Sequence, residues 1–217
     1  MKDLIIVGGG GMARKVLVTL KKMNKSEPKW NIKGFIDDNV HVLDNVKCDY
    51  GIIGSIVDWQ PKDKEVFVMG ISSPAVKEKV ARILKDKGAR FETIISPEVL
   101  LGDFVTFGEG CVVMTPFVID CGATFGNFVT VLGSTVSFDA KIGDFTTTAG
   151  FANTTTANLG KRVYVGSHAV ILEGLTVGDD AYISVGSIVL NDVPAGVQVF
   201  GYPARIFRDN NVKGSTK

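Results

Sequence analysis

Histidine is scarce in this 217-residue chain, with only His41 and His168 present. A catalytic zinc site usually takes three protein ligands and is often His-rich, so no metal is expected here. The three cysteines, Cys48, Cys111 and Cys121, make no CxxC pair. An odd number suits a reducing compartment, and small core or turn residues are their plain reading. An excess of charge of one sign is also missing: the net charge is +1 and no basic run occurs. Nucleic acid and anionic membrane surfaces are therefore not expected as partners. No apolar run reaches the roughly 18 residues of a membrane span. In Met1-Lys2-Asp3-Leu4-Ile5-Ile6-Val7 an acid precedes a short apolar run that four glycines end. It reads as a first buried strand and not as a signal sequence, and the expected location is cytoplasmic.

What the chain does have is a ladder. From Leu159 an aliphatic residue recurs at every sixth position, through Val165, Ile171, Val177, Ile183 and Val189. Neither a helix nor a flat strand gives that period. A six-residue repeat marks a parallel β-helix, with short strands stacked coil on coil and the repeated side chains pointing inward. The frame extends upstream through Leu101, Phe107, Val113, Ile119, Phe125 and Val131. It skips one residue between Val131 and Ile142 and another between Thr154 and Leu159, so those coils are expected to be distorted. Thr146–Thr156 is Thr-rich, normal for strands but odd for a core. After Val189, Phe200-Gly201-Tyr202-Pro203-Ala204-Arg205 is expected to cap the last coil. Within such a scaffold, the His count disfavours enzymes of the carbonic-anhydrase kind.

The first part reads as a small Rossmann-like α/β domain. Leu4–Val7, Ile32–Ile36 and Val66–Ile71 are expected strands. Helical spacing over Met12–Met23 uses Met12, Val16, Leu17, Leu20 and Met23; over Ala75–Lys87 it uses Val76, Val80, Ile83 and Leu84. That order implies a mostly parallel sheet. Phe91–Ile95 is a last short strand, and the boundary is set near Pro97, giving domains 1–96 and 97–217.

Gly8-Gly9-Gly10-Gly11 lies between a strand and a helix, where backbone N–H groups can hold a phosphate. No Gly-Lys-Ser/Thr follows, and Asp37 comes 29 residues after Gly8, far for a dinucleotide ribose acid. A tight turn and a phosphate site both remain open. Asp37-Asp38 ends the second strand at the carboxyl edge of the sheet, where ligands of open α/β folds bind; a solvated turn or helix cap is the other reading. Gly70-Ile71-Ser72 ends the third strand at the same edge.

The glycine-rich opening, Gly34-Phe35-Ile36-Asp37-Asp38, the hexapeptide frame and Gly201-Tyr202-Pro203-Ala204-Arg205 together resemble the PglD/NeuD-type sugar acyltransferases. The resemblance covers nearly the whole chain and implies a left-handed β-helix, a cytosolic homotrimer and acetyl-CoA as co-substrate. It implies a nucleotide-linked amino sugar in the first domain and acyl-CoA between neighbouring β-helices. Carried over by motif, Gly10, Gly11 and Met12 meet the nucleotide phosphates and sugar, Asp37 and Asp38 the base and ribose, and Gly70 the hexose. Thr147, Ser167, Val185 and Gly186 fall on the pantetheine track.

One departure bears on mechanism. The family places a His before an acid, and here the stretch reads Val136-Ser137-Phe138-Asp139-Ala140-Lys141-Ile142-Gly143. The acid is Asp139, but Phe138 stands at the His position. A general base is worth ~10²–10⁴-fold, and a phenyl ring supplies none of it. An amine arriving neutral attacks a thioester unaided, whereas a hydroxyl must lose its proton, so N-acylation is favoured over O-acylation. Asp139, and His168 from a neighbouring subunit, are the candidate substitute bases; proximity alone is the third option. The competing functions are a degenerate protein that binds nucleotide sugar or acyl-CoA without turnover, and a transferase with another donor or a hydroxyl acceptor.

Overall fold

The computed structural model describes residues 1–209; the last residues of the second expected domain, 210–217, lie outside them. The chain opens with β1 (Lys2–Val7), whose last four residues are buried on both faces, as a central parallel strand requires. It continues through α1 (Gly11–Ser26), β2 (Trp30–Ile36), β3 (Ile52–Gly54), β4 (Glu65–Met69) and α2 (Pro74–Asp86). The sheet order is β3-β2-β1-β4, all parallel, so the carboxyl ends of the strands share one edge. The short strand β3 was not expected. Its three residues carry no period, and it forms an edge beside β2.

Both helices pack as amphipathic elements, but α2 is rotated from its expected face. Its buried residues are Lys77, Val80, Ala81 and Leu84, while Val76 is half-exposed. A residue that the hydrophobic pattern assigned to solvent thus faces the interior.

From Ile94–Ile95 onward the chain winds into the left-handed parallel β-helix, whose first strand pairs with Val112–Met114. Three sheets run its length. The first carries Ile94–Ile95, Val112–Met114, Thr130–Leu132, Thr147–Thr148, Tyr164–Val165 and Tyr182–Ile183. The second carries Leu100–Leu101, Val118–Ile119, the bridges at Val136 and Asn153, Val170–Ile171 and Ile188–Val189. The third runs from Thr106–Phe107 to Thr176–Val177. The inward ladder residues from Val113 to Val189 form one core, and Leu101, at the open first coil, stays exposed. The strand Val197–Gly201 extends the first sheet, and Ala204–Asp209 turns back against it antiparallel as the expected cap. No helix among the described residues is long and apolar enough to cross a membrane.

The two skipped residues are absorbed at corners. Val136 pairs with Ile119 and is buried, so the first loss falls between Val131 and Val136, at the left-handed Gly133. The second falls after Thr154, where Thr155 has a φ of 42°, unusual for a β-branched residue. The Thr-rich stretch sits inside because its hydroxyls are bonded. Thr148 Oγ1 meets Ser134 Oγ at 2.6 Å, and Thr146 Oγ1 donates to the Gly160 carbonyl at 2.8 Å.

The two parts meet along the first sheet and one corner of the β-helix. Phe67 packs on Phe91 and Phe91 on Phe128, which stacks on Phe145 with ring centroids 5.3 Å apart. Glu78 on α2 reaches Arg162, itself held by a two-point contact with Asp180.

Candidate functional site

A cavity of about 390 Å³ opens at the carboxyl edge of the α/β sheet. Gly8, Gly10, Gly11, Met12, Asp37, Asp38 and Gly70 all line it, together with Val42, Ile56, Ser72, Ser73, Val76 and Val80. The backbone explains the glycines. Gly8 takes a φ of 92°, open to few other residues, and a methyl on Gly70 would lie 2.7 Å from Ala13 Cβ. The chain therefore turns tightly enough to aim the N-terminus of α1, which has no side-chain cap, at the cavity.

The two acids are held in place. Asp37 accepts from Gly9 N at 2.7 Å and from Asn39 N at 2.8 Å, so it also builds the turn. Asp38 accepts from Ser55 Oγ at 2.7 Å and from Val57 N at 3.1 Å. Burial pushes the Asp38 carboxyl up, but hydrogen bonds from Ser55, Val57 and Ile56 outweigh it and hold it below its ordinary value. Each carboxylate has lone pairs beyond these bonds, so both keep acceptor capacity toward the cavity.

On the β-helix each corner carries a column of left-handed residues. Gly133, Phe151, His168 and Gly186 mark the corner between the first and second sheets; Phe104, Gly122 and Asp139 mark that between the second and third. Phe138 is half-exposed beside Asp139, whose amide donates to the Cys121 carbonyl at 3.0 Å. Within one chain Asp139 and His168 thus stand at opposite borders of the second sheet and do not meet. His168 is exposed and stacks on Phe151. Ser167, Val185 and Gly186 lie together at its corner in successive coils, with Gly186 N donating to the Ser167 carbonyl at 2.9 Å.

Thr147 does not share that corner. It lies on the first sheet, fully buried under the α/β domain. Its hydroxyl donates to the Ser72 carbonyl at 2.7 Å and accepts from Lys77 Nζ at 2.9 Å, so its one proton is committed to the α/β domain.

Several residues at the site escaped the sequence reading. Lys77 had no signal other than its place in an amphipathic helix. Arg14 and Lys15 line a second hollow, of about 550 Å³, that shares Gly11, Met12 and Ser72 with the first. The Arg14 Nε atom is buried with no hydrogen-bond partner among the described residues. A third hollow, of about 440 Å³, adjoins through Ser72 and Ser73 and has Tyr164 and Tyr182 on its wall, stacked 4.8 Å apart.

Residues 3–84 match the PglD N-terminal domain family. The acetyltransferase domain of PglB from Neisseria gonorrhoeae FA1090 superposes with a TM-score of 0.85 at 20% identity, covering 95% of this chain and all of that one. WeeI from Acinetobacter baumannii AYE gives 0.84 at 26% identity, with 95% and 100% coverage. PerB from Caulobacter crescentus, solved with CoA and GDP-perosamine, gives 0.83 at 22% identity, with 95% and 97% coverage. In sequence, galactoside O-acetyltransferase of Escherichia coli (strain K12) is 45% identical over 53 residues. That match covers 24% of this chain, which thereby spans about a quarter (26%) of that curated relative's length.

Proposed function

We propose that this chain, which joins a PglD N-terminal domain over residues 3–84 to a left-handed β-helix, is an acetyl-CoA-dependent N-acyltransferase. Its acceptor is a nucleotide-linked amino sugar for surface-glycan synthesis. The observation that carries this reading is the single cavity at the strand ends that gathers Gly10, Gly11, Met12, Asp37, Asp38 and Gly70. Donors at a glycine turn and helix N-terminus suit a diphosphate, and two carboxylate acceptors beside them suit a base and ribose. Arg14 and Lys15, in the adjoining hollow, add positive charge near the same turn. PerB, with CoA and GDP-perosamine bound in the same fold, supports the pairing of donor and acceptor.

In the reaction the sugar amine forms a C–N bond to the thioester carbonyl, the C–S bond breaks and CoA leaves as the thiol, taking up a proton as the amine gives one up. Ser167, Val185 and Gly186 are the residues for the pantetheine arm, and Asp139 or His168 of a neighbouring copy takes the proton. The apolar outward positions of the second sheet, Leu100, Val118, Val170 and Ile188, support a homotrimer, which the reading places in the cytoplasm.

Phe138 favours one rival, a protein that binds both ligands without turnover. Purified protein mixed with acetyl-CoA and UDP-, dTDP- or GDP-linked 4-amino sugars decides between them by release of free CoA. Turnover by the wild type, raised less than about tenfold in Phe138→His, supports transfer that needs no imidazole at position 138. Turnover only in Phe138→His supports the rival. Failure of the wild type to bind acetyl-CoA by calorimetry overturns the transferase reading.

A further inference from the structure

Lys77 lies in the first turn of α2, and its side chain is fully buried. Nζ donates to Thr130 Oγ1 at 2.9 Å, to Thr147 Oγ1 at 2.9 Å and to the Thr146 carbonyl at 3.2 Å. Nζ thus meets three acceptors, all on the β-helix and all uncharged. A cation in the first turn of a helix faces the positive end of the peptide dipoles, and burial away from any carboxylate adds a desolvation cost. Methionine would fill the same space at less cost, so packing does not account for a lysine here.

What the lysine does supply is direction. Thr147 has one proton, and it goes to the Ser72 carbonyl at 2.7 Å, so the hydroxyl must accept from Lys77. Ser72 belongs to the loop 70–73, which lines all three hollows described above. At its other end that loop is fixed where Gly70 N donates to the Val7 carbonyl at 2.8 Å.

We propose that Lys77 is a positioning residue: acting through Thr147, it fixes the loop 70–73 against the β-helix and so sets the acceptor cavity in register with the domain that carries the donor. The assignment of acceptor and donor rests on the function proposed above; the tethering of the loop does not. Lys77→Met keeps the bulk and removes all three donors. Thr147→Val keeps the lysine with its bonds to Thr130 and Thr146, and removes the link to Ser72 together with the acceptor that Thr147 offers Lys77.

Hydrogen exchange in the ligand-free protein reads the loop directly, and steady-state kinetics with acetyl-CoA and the amino-sugar nucleotide reads the consequence. Expected are faster exchange at Ile71–Ser73 in both variants and a KM for the sugar nucleotide raised about tenfold, the upper scale of one hydrogen bond. The KM for acetyl-CoA stays within about twofold, and the double variant is no worse than the poorer single one. Unmoved loop exchange, additive losses or equal rises in both KM values overturn the proposal. Should Lys77→Met fail to fold, Thr147→Val alone carries the test. A loosened loop in a protein that turns over no amino sugar leaves the tether standing and removes the function; an unmoved loop in an active enzyme does the reverse.

Discussion

The Gly9 amide donates to Asp37 Oδ2 across 2.7 Å, so the glycine turn after β1 and the end of β2 are held as one unit. The other carboxylate oxygen holds Asn39 N. Asp37→Ala removes both bonds, and about 2 kcal/mol of stability is expected to go with them. A titration with the sugar nucleotide beside a urea melt separates the two roles of this acid. Loss of stability with affinity retained makes Asp37 a turn builder alone. We expect affinity to fall by about tenfold or more as well, because the residue lines the cavity that its turn shapes.

Gly70 is set by close approach and not by a left-handed backbone. A methyl there would lie 2.7 Å from both Ala13 Cβ and the Val7 carbonyl oxygen. Gly70→Ala is expected to cost about 1–3 kcal/mol, the usual scale of overpacking. Adding Ala13→Gly removes the clash with Cβ and leaves those with the Val7 oxygen and with Cα of residue 13 at 2.9 Å, so part of that loss returns in the urea midpoint of the double variant. A Gly70→Ala protein as stable as the wild type means that α1 shifts freely against β4.

The two candidate bases differ in surroundings. His168 is stacked on Phe151 with ring centroids 5.0 Å apart, and Phe117 packs on Phe151 at 5.8 Å. Asp139 adjoins Phe138, the position at which the family resemblance places a base. We expect Asp139→Asn to lower kcat by about 10²-fold or more, and His168→Ala by less. The reverse order assigns the proton to the imidazole of a neighbouring copy; equal small losses leave transfer to proximity alone.

Much of this architecture was legible because periodicity is a backbone property. The six-residue ladder marks the coils, and its two gaps point to the corners at Gly133 and Thr155. The strand-end residues Asp37, Asp38 and Gly70 were legible because parallel topology brings strand ends to one edge. Side-chain commitments were not. Thr147 has the position of a surface strand residue, and only the docking of α2 over the first sheet buries it. Lys77 reads as the polar side of an amphipathic helix until its partners, 53 to 70 residues away, are in place. Such contacts depend on how two domains meet, which no local pattern encodes.

That buried lysine makes stability depend on pH in a definite direction. Burial pushes the Lys77 ammonium down to about 7, from an ordinary 10.5. Between those values the unfolded chain holds a proton that the folded chain has released, so raising the pH favours folding. The gain is at most about 1.4 kcal/mol per pH unit, and it levels off below the lower value and above the upper one. The Cys111 thiol, the ionisable neighbour of Lys77, acts the other way. Burial raises it to about 11 from 9.0, so above pH 9 it favours the unfolded chain. Lys77 itself pulls that thiol down, so its contribution differs between wild type and Lys77→Met, but only above pH 9, and the two proteins are compared below it. Urea melts of both proteins from pH 6 to pH 9 should show the wild type gaining on the variant from about pH 7 upward. Parallel curves would mean that the three oxygens around Nζ keep the ammonium charged in the folded protein throughout that range.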